Sequence, residues 1–198
     1  MNRFNHLLPL LILLTLFFGC EKEIISPQSI NGPTLSASGL ESLVRPDVQC
    51  GTSRFSVLKS SNGDLYGSVE VLNDADNVYL LIEMEPNKFL DATQAFFGTS
   101  SAIPTDGNGS ILMEDFQFQS IIARGAARYT IIMPLSSMPN CPDIVLWGQA
   151  SQKNMFGQTV SNREVWLTGI PIYNGSFFKY CAGACTINLG ASDVSRVN

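Results

Sequence analysis

Histidine is nearly missing from this sequence: His6 is the only one in 198 residues, and it lies in a leading segment that reads as a removable signal. The rest of the chain then holds no Ser-His-Asp or Cys-His site and no histidine-ligated zinc. There is no G-x-S-x-G, and no glycine-rich loop ahead of a helix to cradle phosphate. Charge is sparse, at 15% of residues, and the formal net charge is −5. The positive residues stand singly, with no basic stripe, which makes nucleic acid and anionic headgroups poor partners. No apolar run reaches the about 20 residues that cross a bilayer as a helix.

The apolar run that is present, residues 7–18, follows Arg3. A short apolar core behind a positive residue is the build of a secretory signal. It ends in Leu16-Phe17-Phe18-Gly19-Cys20, which resembles the lipobox of bacterial lipoproteins. Gly19 is small, as that box requires before its cysteine, whereas Phe18 stands where the box has a small residue. The resemblance implies cleavage before Cys20 and lipidation of its thiol. Each buried methylene contributes roughly 0.8 kcal/mol, and stable anchoring takes more than one chain, so a multiply acylated Cys20 would hold the protein to a membrane. Glu21, Lys22 and Glu23 follow. They resemble the export signals that send some Gram-negative lipoproteins to the outer surface, although a solvated start to a linker reads the same way. The expected place is the cell envelope, at the outer membrane, with surface exposure left open.

Removing residues 1–19 takes away Arg3 and leaves a net charge of −6, one less than −5. A hydrophobic content of 45% and twelve phenylalanines supply a core for one domain of ordinary size and argue against a disordered chain. Beyond Cys20, four cysteines remain: Cys50, Cys141, Cys181 and Cys185. An even number in an exported protein reads as two disulfides, with three pairings open. Cys181 and Cys185 enclose small residues suited to a tight local bridge, which would leave Cys50 with Cys141; this is the favoured pairing. A metal site is the rival reading, with neither a CxxC pair nor a histidine to support it.

Residues 21–48 are rich in Ser, Pro, Asn and Gly and read as a flexible tether, with a turn of helix as an option over 36–44. From Cys50 to Asn198 the signals are nearly all strand. Val69 and Val71 alternate with Ser68 and Glu70. Val78, Leu80, Ile82 and Met84 then share one face, with Tyr79, Leu81, Glu83 and Glu85 on the other. Residues 73–77 between them are Asn and Asp around Ala75, which tolerate the left-handed backbone of a hairpin loop. Further strands are predicted over 54–59, 95–98, 113–118, 128–133, 144–150, 163–167 and 177–180. Only 90–97 has a helical reading. The expected fold is all-β, an antiparallel two-sheet sandwich of jelly-roll or immunoglobulin-like topology.

The stretch from Tyr66 to Leu81, Y-G-S-V-E-V-L-N-D-A-D-N-V-Y-L-L, resembles a domain of secreted and lipid-anchored bacterial proteins that carries a G-x-V-x-V-x-N-D-x-x-N-L-Y-V hairpin. Phe96-Phe97-Gly98, Ile103-Pro104, Tyr129, Cys141, Trp147 and Trp166 follow in that domain's order. The likeness covers residues 50–169. It implies an extracellular β-sandwich without an assigned activity, so no catalytic residue is carried over. Two features depart from that pattern: Phe96-Phe97 stand where it has an aromatic and an aliphatic residue before Gly98, and the Cys181/Cys185 pair is an addition.

Three constellations invite chemistry. Paired carboxylates serve glycosidases. Glu83 and Glu85 would stand about 7 Å apart along a strand face, and Glu114 and Asp115 would point to opposite faces of a strand; a solvated surface is the ordinary role of both pairs. Asp74 and Asp76 offer hard oxygens to calcium, against which stands the turn chemistry of the same residues. Trp147, Trp166, Tyr173, Phe177 and Phe178 offer rings for sugar stacking. Both tryptophans read as core, while one of Phe177 and Phe178 must be exposed or meet a second layer. Tyr173, Phe177 and Phe178 are therefore the candidate ligand contacts. The expected function is that of a lipid-anchored, non-enzymatic extracellular binding or envelope-structural domain, with an extracellular glycan or an envelope protein as candidate partner and no cofactor. The alternatives are a carbohydrate-binding module and a histidine-free glycoside hydrolase.

Overall fold

The structure is a computed structural model that describes residues 38–172 and 174–185. The eleven strands among the described residues are β1 (Ser38–Leu40), β2 (Cys50–Ser60), β3 (Leu65–Asn73), β4 (Asn77–Met84), β5 (Lys88–Gly98), β6 (Phe118–Ala126), β7 (Arg128–Pro134), β8 (Asp143–Lys153), β9 (Thr159–Leu167), β10 (Ile170–Ile172) and β11 (Gly175–Lys179). Every strand pairing is antiparallel. Neighbouring strands run β1-β7-β4-β3-β2-β9-β8-β5-β6, with β11 on the start of β8 and β10 on β11.

This single ladder curls into a nearly closed barrel. The β6 edge approaches the β1–β7 end of the ladder where the Tyr129 hydroxyl, on β7 just past β1, donates to Ser120 of β6 at 2.8 Å. Gly39 of β1 lies in the seam, where a Cβ would overlap the Tyr129 hydroxyl and crowd Phe118. The alternation read from the sequence explains the inside. Val69, Val71, Val78, Leu80, Ile82, Ile131, Ile144 and Val165 have no exposed surface and share one core. Burying each such side chain stabilises the fold by roughly 1.5–3 kcal/mol.

The outside is covered in two places. Tyr79, Leu81 and Leu72 are buried beneath Leu43, which belongs to a segment, 41–48, packed on β3, β4 and β7. Its backbone is fixed to Thr130, whose hydroxyl donates to Ser42 O and accepts from Val44 N. Arg45 pairs with Glu70, so the outward-facing Glu70 is nevertheless buried. The second cover comes from residues 99–117 and the β10–β11 hairpin, which seal Phe96, Val145 and Phe177 with Ile103, Ile111 and Phe116.

Four sequence expectations change. The end of the expected tether, from Ser38 onward, is joined to the sheet, and β1 replaces the turn of helix. Residues 90–97 are strand, because β5 pairs on both edges, with β6 and β8. The strand expected over 113–118 is a 3-10 turn, Met113–Asp115, and β6 begins only at Phe118. The disulfides are Cys50–Cys185 and Cys141–Cys181, not the favoured local pair. The reason is that β11 runs along the start of β8. This sets Cys181 beside Cys141 and carries the chain on to Cys50, with Ala182 N bonded to Asn140 O at 2.9 Å.

Candidate functional site

The sequence candidates lie in several parts of the molecule and do not converge. Cys20 and Tyr173 fall outside the described residues. Phe177 meets the second layer and is 8% exposed, and Phe178 is half-buried against the main core, so neither presents an open ring. Trp147 and Trp166 are opposed on β8 and β9. Trp147 is buried, and Trp166 is half-buried under Gly175, where a Cβ would lie 2.7 Å from the indole.

Asp74 caps its own turn. One carboxylate oxygen accepts from the N–H groups of Asp76 and Asn77 at 2.8 and 2.6 Å, and the other accepts from the Tyr79 hydroxyl at 2.6 Å. Burial opposes ionisation of Asp74, but these three donors outweigh it and hold its carboxyl below the ordinary range. Burial, then the bond to Asp74 and its charge, push the Tyr79 phenol up to about 12. Both oxygens that calcium would need from Asp74 are thus engaged within the hairpin, and no group of three or more metal-ligating side chains is found among the described residues. Glu83 is exposed and bonds Arg128 at 2.9 Å. Glu114 and Asp115 are exposed on their 3-10 turn.

A different set of residues does converge, on the outer face of β6, β5, β8 and β9. Three irregularities of the sheet meet there. Leu90 and Ala92 of β5 pair with the consecutive Ala150 and Gln149 of β8, so Asp91 is an extra residue in β5. Leu90 and Ala92 also pair with Ala126 and Ile121 of β6, so 122–125 bow out opposite Asp91. Across β8, Gln152 and Lys153 pair with Ser161 and Thr159, which leaves Val160 extra in β9. Bulges of this kind re-aim side chains and are over-represented at sheet edges and barrel rims as well as beside functional sites.

The outcome is a trough of about 650 Å³ whose polar lining includes Asp91, Arg124, Gln149, Ser151, Lys153 and Asn162. Gly125, at φ +69°, makes the bowed wall feasible, because a Cβ there would sit 2.7 Å from the Asp91 carboxylate. The Ser151 hydroxyl donates to Asp91 Oδ1 at 3.1 Å. Lys153 lies over the Phe89 ring, 4.2 Å from its centroid, and its ammonium donates to Arg124 O at 3.2 Å. The β8–β9 hairpin rises at one end. Asn154 Oδ1 accepts from the N–H groups of Phe156 and Gln158, both at 3.0 Å, and fixes the turn. Met155 and Phe156 stand at its tip, 89% and 80% exposed. The signal that could have found this site is the weakest kind in a sequence: a broken alternation, Asp91 and Gly125 in otherwise regular strands.

No protein-family model, curated protein or solved structure matches the chain.

Proposed function

We propose that this chain is a cell-envelope lipoprotein, anchored through acylated Cys20, whose β domain is a non-enzymatic module that binds an extracellular glycan in the trough of β6, β5, β8 and β9. The observation that carries the binding reading is the convergence of three sheet irregularities on one polar depression. Amides, a hydroxyl and a carboxylate side by side match the alternating donors and acceptors of a sugar's hydroxyl groups. Asp91 is the one carboxylate among the described residues that line the trough, whereas the usual glycoside hydrolysis takes two; this supports binding over catalysis. The anchor rests on the sequence Gly19-Cys20 behind a short apolar run. The finer architecture in this reading is a flattened barrel, its β7-β4-β3 and β9-β8-β5 halves facing as the two sheets of a sandwich.

Two measurements test the proposal. Intact-mass spectrometry of the native protein is expected to show a chain beginning at Cys20 with the mass of acyl chains; an unmodified thiol or a retained leader overturns the anchor. A polysaccharide screen with the full chain in detergent is expected to give a binder lost in Gln149→Ala/Asn162→Ala, and binding that survives both substitutions overturns the site. A second reading, a protein partner in the envelope, is favoured by the exposed Met155–Phe156 tip, and binding abolished by Met155→Ser/Phe156→Ser alone would select it.

A further inference from the structure

We infer that the trough's ligand is an acidic glycan, one whose sugar units carry carboxylates, rather than a neutral one. The inference rests on the reading of the trough as a glycan site and adds the charge of the sugar. Two cations, Arg124 and Lys153, face one carboxylate, Asp91, among the lining residues, so the lining carries net +1 in a chain of net −5. The exposed Glu164 stands beyond it, opposite Gln149 and on the amide side. Among the described residues the ion pairs are Arg45–Glu70, Arg128–Glu83 and Lys179–Asp143; neither trough cation is neutralised by a protein carboxylate.

The cations are also positioned. Lys153 is held by the Phe89 ring below it and by one hydrogen bond to Arg124 O, and an ammonium has three donors. Two remain for a ligand. Arg124 is exposed at the crest of the bowed β6 segment, and its guanidinium has a fork geometry that suits a carboxylate. Asp91 repels that carboxylate and, polarised by Ser151, accepts from sugar hydroxyls. The trough thus has two chemically distinct halves. Arg124 and Lys153 take the acid group, and Asp91, Ser151, Gln149 and Asn162 take the hydroxyls. A neutral glycan would use only the second half and leave both cations to water.

The test is calorimetric titration of the full chain in detergent with oligomers of galacturonic acid and with the same oligomers after reduction of their carboxyl groups. The expected result is binding of the acidic oligomer, weakened about tenfold by Arg124→Gln and by Lys153→Gln, and weakened severalfold when salt is raised from about 50 mM to about 500 mM. Arg124→Gln alters an exposed side chain, and an unchanged melting curve separates lost binding from lost fold. If the reduced oligomer binds equally and Gln149→Ala/Asn162→Ala abolishes both, the charge assignment is overturned while the glycan site stands. If neither oligomer nor any neutral glycan binds, both readings fall together.

Discussion

The two ends of the barrel are built on opposite plans. At one end Cys50, the 73–77 turn, residues 135–142 and 180–185 are tied to each other by two disulfides and a buried polar network. At the other, the 61–64, 85–87 and 154–158 turns surround open grooves, and one hairpin lifts Met155 and Phe156 into water. At the first end Asn73, Asp74 and Tyr180 spend their hydrogen bonds within the protein, although a groove of about 610 Å³ opens there too, beside Asp76 and Tyr79; at the second, the trough's amides and cations retain unused hydrogen-bonding capacity. The proposed binding site lies at the second end.

Removing the disulfides should break this contrast most. Cys50–Cys185 spans 135 residues and Cys141–Cys181 spans 40; chain entropy gives upper bounds of about 5 and about 4 kcal/mol. Cys50→Ala/Cys185→Ala is expected to lower Tm by roughly 10 °C or more in calorimetry, with Cys141→Ala/Cys181→Ala smaller. Equal Tm values for the reduced and oxidised protein would contradict the account.

Asn73→Ala comes next. Asn73 is 1% exposed and makes four bonds: its oxygen accepts from the Tyr180 hydroxyl at 2.7 Å and Gly183 N at 3.0 Å, and its nitrogen donates to Gly183 O at 3.0 Å and Asp74 O at 2.7 Å. The substitution leaves buried groups unpaired and is expected to cost about 3 kcal/mol in denaturant unfolding. Asn162→Ala in the trough is exposed and should cost no more than about 0.5 kcal/mol.

Tyr79 gives a pH-dependent effect at the fixed end. Its phenol is raised to about 12 in the fold, from about 10 in an unfolded chain. Because the folded pKa is the higher one, its contribution is fully present below pH 10 and is lost as pH rises through about 12. Burial raises Tyr129 and Tyr180 as well, so all three act in one direction. Unfolding free energy measured from pH 9 to 12 should fall, and fall less steeply in Tyr79→Phe. An identical slope would show that the raised Tyr79 phenol does not contribute to this dependence.

How far these features are legible in the sequence depends on how local their causes are. The β3–β4 hairpin is readable because each residue's side follows from alternation: Val69, Val71, Val78, Leu80 and Ile82 are all inside. β5 is obscured by its own bulge. The extra Asp91 shifts the buried set from Leu90 to Thr93, Ala95 and Phe97; Leu90, Thr93 and Phe97 are then spaced as on a helix. Glu70 reads as solvated because Arg45, its partner, is 25 residues away in an expected tether. The disulfides depend on a pairing of β11 with β8 that no local pattern encodes. The trough is hidden for the same reason: its residues come from four strands and are brought together by register shifts.

The smallest expected effect sharpens the contrast most directly. Met155 and Phe156 are 89% and 80% exposed, so burial in the fold contributes almost nothing to keeping them apolar, and Met155→Ser/Phe156→Ser should change unfolding free energy by no more than about 0.5 kcal/mol. The hairpin itself is held by backbone and side-chain bonds of Asn154 that neither substitution touches: Asn154 N to Gln158 O and Gly157 N to Asn154 O, each at 2.9 Å, and the Oδ1 cap of the turn. A silent stability result means the two side chains are free to meet something other than the protein's own core. A loss of several kilocalories per mole would mean that the tip packs within the fold, and the open end would then serve structure as fully as the disulfide-tied one does.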